Sequence, residues 1–95
     1  MKKKTFKEVA KAQEEIREKI WYNRHLILKE KVEEGKEKVD PEIWKNALLA
    51  EERILKEFGG EENILPADDF EWGMLNGKLS ALRWVMGDEW DDLDT

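Results

Sequence analysis

Glu34-Gly-Lys-Glu-Lys-Val-Asp-Pro41 is the stretch that decides the fold. Glycine is the commonest residue just past a helix C-terminus, because it takes the left-handed backbone a helix stop needs. Asp40 before Pro41 is the opposite signal: a side chain able to cap free N–H groups, then a proline suited to the first helical position. A stop and a start this close predict two helices joined by a short turn, and so an antiparallel hairpin.

Working outward, Thr5 and Glu8 have the spacing of a capping box, and a helical pattern then runs unbroken to Glu34. At 1.5 Å per residue such a helix is about 45 Å long. Phe6, Val9, Gln13, Ile16, Ile20, Asn23 and Ile27 follow alternating three- and four-residue steps, a short coiled-coil-like seam. The second helix should end at Gly59-Gly60. Asp68 with Glu71 opens a third, which runs toward Gly87. No segment alternates as a strand would. The expected fold is all-α: one helical domain over residues 1–95, with helices at about 5–34, 41–58 and 69–86 and an acidic tail over 88–95. This is a small three-helix bundle, and the third helix suggests that it oligomerises.

The hairpin also sets a register. Antiparallel packing across the first turn pairs positions whose numbers sum to about 75. Ile27 then meets Leu48, Ile20 meets Leu55, and Arg24 meets Glu51. The second turn brings Asn76 to the same level. Arg24 and Glu51 each lie within an apolar face, where an unpaired charge is costly. The expectation is a buried polar level of Arg24, Glu51 and Asn76, serving either to fix register or to line a pocket.

The third helix is apolar on two sides. Trp72, Leu75, Leu79, Leu82 and Met86 form one arc, and Phe70, Met74, Ala81, Trp84 and Val85 another. Two preceding helices can cover one side well and the other only partly. Gly73 and Gly77, about one turn apart, permit close approach of another helix at a cost near 1 kcal/mol each in helix propensity. Trp72, Gly73, Gly77, Trp84, Trp90 and Leu93 are therefore the expected interface residues. Of the five tryptophans, Trp44 and Trp84 read as core and Trp21 as the edge of an apolar face. Trp90 and Leu93 could dock together as a short amphipathic turn.

Charge is polarised along the chain. Residues 1–34 carry +3, 35–60 carry −1 and 61–95 carry −8, for a net −6. An acidic chain of this kind does not suit general nucleic-acid binding, which needs a basic surface. With no cysteine, disulfides, thiolate metal sites and cysteine nucleophiles are excluded. No apolar run reaches the roughly 20 residues that span a bilayer. The basic N-terminus has no apolar stretch behind it, so it does not read as a secretory signal, and the cytoplasm is the expected location.

The chemical inventory is thin. Ser80 is the sole serine and falls mid-helix; His25 is the sole histidine. A carboxylate-bridged di-metal bundle repeats Glu-x-x-His, and here Tyr22 stands three before His25. His25 and Tyr22 are at most neighbours of a ligand or metal site. The aspartates after Gly87 lack calcium-loop spacing, and there is no Gly-rich phosphate loop. No cofactor, metal or catalytic residue is expected, and the chain does not read as an enzyme.

The segment Asp69–Thr95, with Tyr22-Asn-Arg-His25 and Ile43-Trp44, resembles parts of a group of small uncharacterised bacterial and phage proteins. The resemblance implies a phage or mobile-element origin and no particular activity. Three functions follow as expectations. The first is a helical protein–protein interaction module that forms a homo-oligomer or joins a larger assembly. The second is an inhibitor acting by acidic mimicry. The third is a ligand- or metal-binding bundle.

Overall fold

The computed structural model describes residues 1–90, which form three α-helices and one short 3-10 turn: α1 (Phe6–Glu33), α2 (Pro41–Phe58), the turn Glu61–Asn63, and α3 (Asp69–Val85). There is no strand among the described residues.

Each helix end is closed by the residues that announced it. The Glu8 N–H donates to Thr5 Oγ1 at 3.1 Å, and the Thr5 N–H donates back to Glu8 Oε1 at 3.2 Å, a reciprocal capping box. Accepting the backbone N–H and the hydroxyl of Thr5 holds the Glu8 carboxyl below its ordinary pKa. At the other end of α1, Lys36 N–H reaches Lys31 O at 2.9 Å and Gly35 N–H reaches Val32 O at 3.1 Å. With φ +77° at Gly35, this is a Schellman stop. Asp40 Oδ1 accepts from the Glu42 and Ile43 N–H groups at 3.0 and 3.2 Å, ahead of Pro41 in the first turn of α2. Asp68 Oδ1 accepts from Glu71 N–H at 2.9 Å and starts α3.

Contacts divide the chain into two compact units. One joins Met1–Ile20 to the chain from Pro66 onward; the other is Trp21–Leu65. In the first, Ile20 and Leu79 are buried. Leu82 of α3 shares with Val9 and Ala12 of α1 an open groove of about 440 Å³, whose rim includes Lys4, Glu8, Lys11 and Glu15. The inner arc of α3 (Trp72, Leu75, Leu82 and Met86) is half-buried around Leu79. In the second unit, Tyr22, Ile54 and Ile64 form the core, with Leu26, Leu55, Phe58 and Leu65 packed on it. The 3-10 turn brings Ile64 back onto that core. Asn63 Nδ2 secures the turn by donating to Phe58 O, at the end of α2, at 2.8 Å.

The seam expected along the first helix holds only in part. Val9, Gln13 and Ile16 are half-buried and Ile20 is buried, but Phe6 and Ile27 are exposed. From residue 21 on, Tyr22 and His25 are buried and Asn23, Leu26, Leu28, Lys29 and Val32 half-buried. Carried into the second half of α1, the seam keeps Asn23 half-buried but names the exposed Ile27 and omits the buried Tyr22 and His25.

Candidate functional site

Two features stand out from the packing of so small a chain. The first lies between the second half of α1 and α2. Trp21, His25 and Lys29 recur at four-residue steps and so share one ridge of α1. Glu51 of α2 faces them. Glu51 Oε1 lies 3.1 Å from His25 Nε2, while Lys29 Nζ donates to both carboxylate oxygens at 3.1 and 3.2 Å. A carboxylate only accepts, so Nε2 carries the hydrogen of the first bond. The Trp21 ring stacks on the imidazole, with centroids 4.7 Å apart and planes inclined by 8°. Trp44 closes the other side at 5.4 Å. The His25 side chain is 2% exposed and that of Glu51 14%. An open cleft of about 270 Å³ runs past this group, its walls completed by Arg24, Leu28, Val39, Ile43 and Ala47.

This cluster corrects the expected polar level of Arg24, Glu51 and Asn76. Arg24 is exposed, at the cleft; Glu51 engages His25 and Lys29. The axial register was one residue out, and one residue is about 100° around a helix, enough to exchange a buried position for a surface one. Asn76 belongs to the other unit, where its side chain donates to Trp72 O at 2.9 Å, one turn back on its own helix. Tyr22 is a core residue, not a lining of the cleft. Its hydroxyl pKa is raised, first by burial, then by the negative charges of Glu61 and Glu51 and by donation to the Glu61 carboxylate.

Chemically, a buried imidazole and a lysine ammonium neutralising one carboxylate is a structural ion pair. Glu51 is taken up by a cation already, and no three His, Asp or Glu residues cluster as a metal cage among the described residues. Lys29 was missed in the sequence. The signal that could have found it is the Trp-x-x-x-His-x-x-x-Lys ridge, which presents two potential donors to any acid at the level of residue 51.

The second feature is the outer arc of α3. Phe70 is 73% exposed, Met74 45%, Trp84 52% and Val85 60%. Ala81 is exposed as well, and a Cβ added at Gly73 or Gly77 would meet nothing within 4 Å. Trp84, expected both as core and among the interface residues, lies outside the core, because the bundle covers only the Leu79 side of the helix. Trp72, expected at an interface, is on the covered arc and half-buried. Trp90 packs edge-on against Trp84 with centroids 5.0 Å apart, yet both stay largely in water. Arg83 Nε donates to Asp88 Oδ2 at 2.7 Å and so ties the end of α3 to the chain beyond it. Leu93 lies outside the described residues.

No helix of the described residues is long and apolar enough to cross a membrane. No protein-family model, curated protein or solved structure matches this chain.

Proposed function

We propose that this protein is a small helical interaction module whose outer α3 face associates with another protein surface, in the first instance a second copy of itself. The observation that carries the reading is the exposed apolar stripe from Phe70 to Trp84. It is about 21 Å long at 1.5 Å per residue. Taking 150–250 Å² per aromatic side chain, Phe70 and Trp84 alone leave roughly 200–300 Å² of ring surface in water. Hiding this from two copies contributes on the order of 10 kcal/mol before the cost of association, a scale that suits reversible self-association.

The glycines support the same reading. Gly73 and Gly77 each weaken α3 by about 1 kcal/mol relative to Ala. Nothing within the described chain approaches either of them. A helix pressed against this face from outside supplies the missing reason.

Sedimentation velocity from micromolar to hundreds of micromolar tests the proposal. The expected result is a mass above the 11.3 kDa of one chain, rising with concentration. Gly77→Leu should return the chain to a monomer while helix content is kept. A wild-type monomer throughout the range overturns the proposal.

A further inference from the structure

We infer that two copies pair through α3 in antiparallel fashion, about a two-fold axis beside residues 75 and 76; this rests on the self-association proposed above. The exposed stripe is uneven in a patterned way. Phe70 and Met74 are bulky at its start, Gly77 and Ala81 are small further on, and Trp84 is bulky at its end. Turned end for end and set beside itself, the stripe places Phe70 opposite Ala81 of the second copy and Met74 opposite Gly77, while Trp84 reaches past the start of the second copy's α3 at Asp69. Phe70 and Met74 then each meet a small residue, and the two-fold repeats both contacts. A parallel pair would stack Phe70 on Phe70 and glycine on glycine, leaving bulges beside voids that close packing does not tolerate.

The charges point to the same arrangement. Glu71 and Lys78 flank the stripe on one side, and both are exposed. In an antiparallel pair related by a two-fold axis, that flank meets its own copy. Glu71 then lies roughly 3 Å along the helix axis from Lys78 of the second copy, at 1.5 Å per residue, and the contact occurs twice. In a parallel pair the flank would instead meet the side bearing Gly73, Ser80 and Trp84, where Lys78 finds no carboxylate. Size and charge are independent features of the sequence, and they select the same register.

The chain has no cysteine, so introduced thiols report contacts cleanly. The variant carrying both Phe70→Cys and Ala81→Cys should oxidise to a covalent dimer. Within one chain these positions are roughly 16 Å apart along the helix, too far for an internal disulfide. Each single variant should stay uncross-linked under the same oxidant. As a second measurement, Lys78→Glu should weaken dimerisation at least tenfold, and adding Glu71→Lys should restore it. Cross-linking of both single variants would mean parallel packing and overturn the register. A sedimenting dimer that neither cross-links nor responds to the charge swap would also overturn the register, while leaving self-association standing. A wild-type monomer would remove both.

Discussion

Replacing Glu51 with alanine probes the polar cluster that His25 and Lys29 of α1 form with α2. Two groups lose their partner, and the structure separates their costs. His25 is 2% exposed, so its Nε2–H would be stranded beneath Trp21 and Trp44 with no acceptor. Leaving a buried donor unsatisfied costs about 1–3 kcal/mol. The Lys29 side chain is 33% exposed and turns to water, so its share is about 0.5 kcal/mol or less. The expected loss is thus about 1–3.5 kcal/mol, against a total of about 5–14 kcal/mol for a domain of this length. Urea denaturation followed by tryptophan fluorescence reads this directly. With an m-value near 1 kcal/mol/M the midpoint should fall by about 1–3.5 M. His25→Phe keeps a ring in the stack and removes the donor. Combined with Glu51→Ala it should cost less than the sum of the two single changes, by about 1–2 kcal/mol. A Glu51→Ala cost below about 0.5 kcal/mol, or strict additivity, would refute the account of a buried, coupled pair.

Three further outcomes follow from the same geometry. Tyr22 has a folded-state pKa above the ordinary value of 10.0, through burial and then the carboxylates of Glu61 and Glu51. The folded state thus holds this proton more tightly than the unfolded chain does. The resulting stability is intact below about pH 10 and is lost as pH rises through the folded-state pKa. Tyr22→Phe should flatten that alkaline decline, and tyrosinate absorbance should appear together with unfolding. A wild-type urea midpoint that does not change across this range would contradict it. Asp40→Ala removes the acceptor of the Glu42 and Ile43 N–H bonds and should cost about 1 kcal/mol, with Asp40→Asn close to wild type in thermal melts. Gly73→Ala meets open space and should raise the unfolding free energy of the monomer by about 1 kcal/mol, measured in urea at concentrations where no dimer forms.

The fold was legible because its signals are local. A capping box at Thr5, a glycine stop at Gly35, a cap and proline at Asp40-Pro41, and a cap at Asp68 each act within one helical turn, and the structure starts α1, α2 and α3 and stops α1 at these residues. The candidate site was less legible because it depends on rotation about a helix axis. Ile20 through Leu28 offers apolar residues on most sides of α1. Periodicity alone could not choose between Arg24 and His25 as the residue facing Glu51. What decides is the partner surface: Tyr22 and Leu26 turn onto Ile54 and Ile64, and His25 and Lys29 follow by helical geometry. The reading of Trp84 as core fails for a related reason. Its side of α3 is as apolar as the other, and only the assembled core shows that Leu79 lies on the covered arc.

The acidic final third bears on the choice of partner. A surface that imitates a polyanion needs carboxylates turned outward and unspent. Several of those in residues 61–90 already have local tasks. Asp68 caps α3, Glu71 accepts from Ala67 N–H at 3.4 Å, Glu61 takes the Tyr22 hydroxyl, and Asp88 pairs with Arg83. Asp68, Asp69 and Glu71 also sit at the positive end of the α3 dipole, where negative charge stabilises the helix whatever binds nearby. Much of the concentration of acid is therefore explained by the need to start and tie down a glycine-weakened helix, which leaves the Phe70–Trp84 stripe as the feature without an internal purpose. The two forces respond differently to salt. Contact through carboxylates fades as ionic strength rises and the Debye length shrinks to a few ångströms, whereas association through Phe70, Met74 and Trp84 persists. Self-association that survives molar salt would assign the contact to the stripe, and its loss would assign it to the acids.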